Sequence, residues 1–431
     1  MKFVIKGGKN LSGEITLAGA KNAATKMMVA SLLTEEPCTL ENCPNIGDAE
    51  ITAELCRELG SRIERHGGTL KIHTAKIAST KVLTLSRRNR IPILALGPLL
   101  TRVGEAQIPV LGGDQIGPRP VDMHLEGLRA MGAEIRNDDH HFFAKAAHGL
   151  HGAHIKLRYP SVMATENIII AATLAQGRTV IENAAKEPEI LDLIAYLQKM
   201  GAIIEIGAHR RIYIDGVLKL RGATHRILPD RNEAVSFGAL ALASGGNILV
   251  KGARQDHLLT FLSAIRRIGG DYEVNDQGIR FFRPDGLKAT EIETDPHPGF
   301  MTDWQQPFAV LLTQVEGTSI IHETVYEDRF AYVEDLKLMG ADIKVFTKCL
   351  GQLSCRFSGK DHNHSALITG PTPLHGALIK VKDLRAGIAH IVAALIAKGE
   401  SVIDGAEEVD RGYERIDERL RALGADIKRL A

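Results

Sequence analysis

The feature that most constrains the fold is a glycine-terminated helix signature that recurs six times. An amphipathic run ends in an apolar residue, a glycine and a small residue at Leu59-Gly60-Ser61, Met131-Gly132-Ala133, Met200-Gly201-Ala202, Ile268-Gly269-Gly270, Met339-Gly340-Ala341 and Leu423-Gly424-Ala425. The first five glycines lie about 70 residues apart and the last follows after about 84, a spacing too even for chance. Glycine in that position can take the left-handed conformation that ends a helix. An apolar strand usually follows, as at 202–206 and 341–345. Most repeats also carry, further upstream, an Ala/Leu-rich helix, a glycine turn and a short strand, as at 167–181 around Gly177 and 390–403 around Gly399. The helix before Gly201 places Ile190, Leu193, Ile194, Leu197 and Met200 on one face. A unit of this kind cannot bury its apolar face alone and must pack on its neighbours. The expected architecture is six α/β units in two domains of three.

Composition narrows what such a fold can do. The chain has 431 residues, 44% of them hydrophobic and 24% charged, as in globular domains, and its length exceeds one ordinary core. A net charge near +1 gives no global basic field for nucleic acid, so any anionic ligand has to be met by locally placed Arg and Lys. No run of 18 apolar residues and no apolar leader occurs, so neither a signal peptide nor a membrane span is expected. Five cysteines, odd in number and unevenly spread, fit reduced thiols in a cytoplasm. Aromatics are scarce, which predicts an aliphatic core that Ala and Gly allow to pack closely.

The longer last interval places an insertion near 349–364. Cys349, Cys355, His362 and His364 stand there, but their spacing matches none of the common zinc-finger patterns. The segment reads as a polar surface excursion, and no metal is expected.

Unusual charge collects at the edges of the repeats. Lys21 and Asn22 enter an Ala-rich helix. Arg90 precedes the loop Val110–His124, which sets Gly112, Gly113, Gly117 and Pro118 around Asp114 and Arg119. Pro120 stands where a helix begins, with Asp122 in its first turn. Further on come Asp230-Arg231, Asp303-Trp304, Arg329, Asp383-Leu384-Arg385 and Asp410-Arg411. Cations gathered from several repeats suit a multiply charged anion carrying phosphate and carboxylate. Asp114 and Asp303 beside them are carboxylates available for proton transfer.

Taken together, Gly19-Ala-Lys21-Asn22-Ala23, Ala95–Leu99, Gly112-Gly113 with Ile116-Gly117 and Arg119-Pro-Val-Asp122, Glu182–Glu189, Pro229-Asp-Arg231, Thr302-Asp303, Asp383-Leu-Arg385 and Asp410–Arg415 resemble the UDP-N-acetylglucosamine 1-carboxyvinyltransferase family of enolpyruvyl transferases. The match runs the length of the chain apart from the insertion. The resemblance implies a two-domain inside-out α/β barrel of six βαβαββ-type units. It places 1–20 with 230–431 in one domain and 21–229, with a mobile loop at 110–121, in the other, around a cleft that closes on substrate. It implies addition of the sugar 3′-hydroxyl to C2 of phosphoenolpyruvate, protonation of C3 and expulsion of phosphate, with no cofactor, at the first committed step of peptidoglycan precursor synthesis.

Carried over by resemblance, Asp303 is the base. Lys21, Arg119 and Arg411 face the phosphate, Arg329 and Arg385 the carboxylate, and Asn22 also lies against phosphoenolpyruvate. Arg90, Arg119, Pro120, Val121, Asp122, Met123, Ser161, Val162, Asp303 and Val325 meet the nucleotide sugar. Many family members have a cysteine where this chain has Asp114, the residue that protonates C3 and that the epoxide fosfomycin alkylates. An aspartic acid there implies insensitivity to that drug. Tyr159, Asn232 and Trp304 depart from the usual pattern and put substrate affinity in question. Two competitors remain. A shikimate-pathway enolpyruvyl transferase shares the chemistry but has a serine-rich motif where this chain has Ala20-Lys21-Asn22-Ala23. A paralogue that binds UDP-sugar without turnover is the other.

Overall fold

The computed structural model describes residues 1–82, 85–87, 89–110, 112, 120–284, 286–353 and 355–431. In these residues the chain forms two compact units, one from Met1–Ala18 with Pro229–Ala431, the other from Gly19–Gly113 with Pro120–Leu228. Each has its own core, Phe3 to Ile427 in the first and Ala20 to Leu228 in the second. The second is aliphatic as expected, whereas the first gathers the scarce aromatics, with Phe261, Phe300, Trp304 and Phe308 in edge-on ring contact.

The glycine ladder is realised in the backbone. Gly60, Gly132, Gly201, Gly269, Gly340 and Gly424 all have φ between 84° and 105°, the left-handed region in which a side chain would be strained. They follow the helices α2 (Gly47–Glu58), α4 (Asp122–Ala130), α6 (Pro188–Met200), α8 (Leu259–Arg267), α10 (Val333–Leu338) and α13 (Ile416–Ala422). Directly after each glycine comes a strand: Arg62–His66, Glu134–Asn137, Ile203–Ile206, Asp271–Asn275, Asp342–Phe346 or Asp426–Leu430. Each of these six strands is the edge of its own sheet.

The sheets share one plan. In a representative one, Arg178–Glu182 pairs in parallel with His154–Lys156 and antiparallel with Ile212–Asp215, which pairs antiparallel with Ile203–Ile206. Among the described residues, five sheets have four strands and the sheet of Glu105–Pro109, His141–Lys145 and Glu134–Asn137 has three. There Lys81 makes a single parallel bridge to Gln107, in the place of a fourth strand. The N-terminus completes two sheets of the first unit. Lys2–Lys6 lies between Glu400–Asp404 and Asp426–Leu430, and Ser12–Thr16 runs parallel to Asn247–Lys251. This pairing is why the first unit contains both ends of the chain.

The second helix set lies inside: α1 (Lys21–Ala30), α3 (Leu96–Arg102), α5 (Val162–Ala172), α7 (Arg231–Ala243), α9 (Gln305–Leu312) and α11 (Leu384–Ile396), with a short α12 at Ala406–Val409. Every residue of α7 and α9 is buried, and all of α11 but its last. A helix buried on all sides has no room for an amphipathic pattern, which explains the Ala-rich runs. Glycine lets the inner helices touch their neighbours: a Cβ at Gly97 of α3 would meet Ala171 of α5 at 3.2 Å, and one at Gly238 of α7 would meet Phe261 of α8 at 3.1 Å. With helices central and sheets burying one face against them, the architecture is the inside-out α/β arrangement. No helix among the described residues is long and apolar enough to cross a membrane.

Candidate active site

In the first unit, three central helices begin where charge was expected. Asp230 caps α7, accepting from the backbone N–H of Asn232 at 2.7 Å. Asp383 caps α11, accepting from Arg385 at 2.9 Å and Ala386 at 3.1 Å. Asp303 lies in the single 3-10 turn Thr302–Trp304 that leads into α9. Two arginines reach Asp303, one of them from the start of α11. Arg329 Nη2 donates to its Oδ1 at 2.5 Å, and Arg385 Nε to its Oδ2 at 3.1 Å. Both arginines are buried, a placement that requires paired charge. Arg385 also donates through Nη1 to Tyr413 Oη at 3.3 Å, while its buried Nη2 has no acceptor among the described residues. Burial pushes the Tyr413 phenol up to about 12, and its Oη lies 2.9 Å from Ser236 Oγ. Arg411, buried as well, reaches Glu408 at 3.3 Å.

Glu323 escapes a reading by sequence, because it is one acidic residue just past a strand end. Its buried carboxylate accepts from the backbone N–H of Val325 at 2.8 Å and Tyr326 at 3.0 Å, and from Thr302 Oγ1 at 3.0 Å and Gln305 Nε2 at 2.8 Å. One side chain thus ties the segment carrying Val325 to the turn carrying Asp303. Burial pushes this carboxyl up, against the pull of Arg329.

Two of the three departures noted in the sequence prove to be partners. Trp304 Nε1 donates to Asn232 Oδ1 at 2.9 Å, both residues being buried, and Arg231 stacks over the indole at 5.6 Å. The pair makes an internal contact of α7 and α9, so each change explains the other. The third, Tyr159, is half-buried three residues before the start of α5.

In the second unit, Lys21 opens α1 and donates to Asp48 Oδ2 of α2 at 2.7 Å, with Asn22 half-buried beside it. Deeper on α1, Lys26 faces Glu166 of α5 at 4.0 Å, and burial draws each toward its neutral form. Ser161 caps α5 through its Oγ, and Val162 is that helix's first residue. Asp122 opens α4 and pairs with Arg158; Met123 follows, Val121 is half-buried and Pro120 exposed. Arg90 precedes the 3-10 segment Ile91–Ala95, near enough to α4 for its charge to act on His124. His124 is buried, and Asn167 donates to its Nδ1 at 3.2 Å. Asp114 and Arg119, with the rest of 113–119, lie outside the described residues. The flanks are anchored by Val110 N–H to His140 O at 2.7 Å and Gly112 N–H to Asn89 O at 3.2 Å.

Known proteins match this chain along its length. A family model described as EPSP synthase (3-phosphoshikimate 1-carboxyvinyltransferase) matches residues 5–420. A UDP-N-acetylglucosamine 1-carboxyvinyltransferase of Protochlamydia amoebophila is 49% identical over 98% of this chain and 93% of its own length. One of Chlamydia trachomatis is 50% identical over 97% and 95%. Among solved structures, the enolpyruvyl transferase NikO from Streptomyces tendae superposes with a TM-score of 0.86 at 22% identity, covering 99% of this chain and 98% of that one. An EPSP synthase from Acinetobacter baumannii gives 0.74 at 19% identity, covering 99% and 100%. Both likenesses are likenesses of fold.

Proposed function

This chain belongs to the UDP-N-acetylglucosamine 1-carboxyvinyltransferase family of enolpyruvyl transferases, and from that premise we propose that it transfers the enolpyruvyl group of phosphoenolpyruvate to the 3′-hydroxyl of UDP-N-acetylglucosamine. The reaction opens peptidoglycan precursor synthesis. The observation that carries the site assignment is Asp303, held by Arg329 and Arg385 while the buried Nη2 of Arg385 has no acceptor among the described residues.

The chemistry runs in two steps. Asp303 takes the proton of the 3′-hydroxyl as its oxygen bonds to C2 of phosphoenolpyruvate, and Asp114 delivers a proton to C3. The tetrahedral adduct then loses a C3 proton, the bond from C2 to the phosphate oxygen breaks, and the double bond re-forms. Arg329 and Arg385 take the substrate carboxylate, the open N–H of Arg385 being a donor ready for it. Lys21, Arg119 and Arg411 take the phosphate, with Asn22 beside it. Fixed cations in a water-poor site stabilise charge as it develops. Arg90, Arg119–Met123, Ser161, Val162 and Val325 hold the nucleotide sugar. Proton transfer and C–O exchange call for no redox cofactor. Five cysteines with no disulfide between them and substrates of central and nucleotide-sugar metabolism support a cytoplasmic location.

Phosphate release from phosphoenolpyruvate tests the reading. Release with UDP-N-acetylglucosamine and none with shikimate 3-phosphate or without acceptor is expected. Release with shikimate 3-phosphate, or with no substrate pair, overturns it. The role of Asp114 has its own test. Asp114→Asn should lose turnover by about 100-fold or more, and fosfomycin should leave the parent enzyme active because a carboxylate is a poor nucleophile toward the epoxide. Normal turnover in the variant, or drug labelling at position 114, sinks that role.

A further inference from the structure

From sequence the insertion at 349–364 is a polar excursion in which His362 stands beside the cysteines. The structure corrects that grouping. His362 turns its ring toward Phe357, 6.4 Å between centroids. In its place His322, the last residue of strand Gly317–His322, joins Cys349, Cys355 and His364. One ligand atom from each of these four lies within 4.8 Å of all the others. We propose that they form a structural zinc site that staples the insertion to the sheet.

The argument rests on which ring nitrogens are left over. His322 Nδ1 lies 2.9 Å from Glu293 Oε2, and His364 Nδ1 lies 2.7 Å from the carbonyl oxygen of His362. A carboxylate and a carbonyl only accept, so each Nδ1 carries the hydrogen and each neutral ring presents a bare Nε2 lone pair. His364 Nε2 is 3.3 Å from Cys349 Sγ, whereas His322 Nε2 is buried with no hydrogen-bond partner among the described residues. Both imidazoles are fully buried, and a buried acceptor without a donor is costly. A cation at the centre satisfies it.

The outer contacts are those of a metal centre. A histidine ligand held through its other nitrogen by a carboxylate or a carbonyl is the usual support of a ligated ring. Glu293 does more than orient His322, for it also accepts from the backbone N–H groups of Gln352 and Leu353, each at 2.8 Å. The insertion can come that close only because residue 351 is glycine; a Cβ there would lie 2.1 Å from Glu293 Oε2 and 2.3 Å from His322 Nδ1. Two thiolates and two imidazoles select zinc over harder cations, and four protein ligands leave no open position, which marks a structural rather than a catalytic ion. Zinc bonds of about 2.0–2.3 Å put tetrahedral ligand atoms about 3.5 Å apart, so modest closing of the cluster completes it. The staple bears on the site, because Arg356 of the insertion donates to the carbonyl oxygen of Val325, three residues past His322.

Metal analysis of the full chain, purified without added metal, should find about one zinc per chain. Cobalt loaded after chelation should give the visible bands of a tetrahedral site and a thiolate-to-cobalt charge-transfer band. Cys349→Ser and His322→Gln should lose the zinc, and stripping the parent protein should lower Tm by several degrees. If a variant fails to fold, the cobalt spectrum of the unaltered protein decides. Less than about a tenth of a zinc per chain after zinc loading and desalting overturns the proposal. So does a Cys349–Cys355 disulfide in freshly prepared protein, or zinc retained in the Cys349→Ser/Cys355→Ser double variant. An unchanged Tm after complete stripping overturns the staple.

Discussion

At Asp303 two guanidinium groups share one carboxylate, so its removal tests the base without emptying the pocket. Asp303→Asn keeps an acceptor for one arginine and deletes the basic oxygen. We expect kcat to fall by about 10³-fold while KM for the nucleotide sugar changes much less. A variant with near-normal kcat would remove Asp303 from the chemistry. A second residue-scale effect concerns stability. Burial holds the His124 imidazole down at about 3, with the charge of Arg90 acting the same way. The folded protein keeps this ring neutral while the unfolded chain protonates it below about 6.5. Its contribution is therefore complete above pH 6.5 and is lost as pH falls from there toward 3, by about 1 kcal/mol per pH unit at the steepest. Urea melts at pH 6.5 and 5 should show a larger loss in the parent protein than in His124→Asn. Equal losses would mean that the ring does not titrate as its burial requires.

Helix starts are the elements that aim the charges. Asp383 caps α11 and thereby fixes the backbone of Arg385, whose side chain reaches Asp303. Asp383→Ala should cost about 1 kcal/mol of stability, as cap removals do. It should also lower kcat/KM for phosphoenolpyruvate by more than the fraction of unfolded protein accounts for. A drop in Tm with unchanged kinetics in the folded fraction would make the cap structural only. The contrast between what the sequence shows and what it hides follows the same line. A helix-ending glycine is a local requirement of one φ angle, so all six could be read from their neighbours. The aspartates at 230, 303 and 383 could likewise be placed at helix starts. That Asp303 receives both Arg329 and Arg385 could be expected only through a resemblance, because no local pattern joins residues so far apart. Glu323 and His322 were missed for that reason. Each gains its role from strand pairing, and His362 stood nearer in sequence to the cysteines than the histidine that joins them.

At the scale of the molecule, the described residues pass between the two units at Ala18 to Gly19 and at Leu228 to Pro229. The ends of each unit are tied to one another. Ala20 N–H donates to Leu228 O at 2.8 Å within the second unit, and Asp230 N–H to Ala18 O at 2.9 Å within the first. No buried core residue is shared, since one core is drawn from 3–17 and 234–427 and the other from 20–228. Strand pairing obeys the same partition: Thr224–Arg226 closes on Cys38–Glu41, while Ser12–Thr16 closes on Asn247–Lys251. The second unit is thus an insertion of about 200 residues, large enough to bury a core alone. Residues 19–228 expressed by themselves should unfold in one cooperative urea transition with native-like near-ultraviolet dichroism. Residues 1–18 joined to 229–431 by a short Gly-Ser linker should do the same, because the ends to be bridged are already paired. A broad transition with strong binding of a hydrophobic dye would show instead that each core needs the other to form. The six repeats would then be one cooperative array rather than two sets of three.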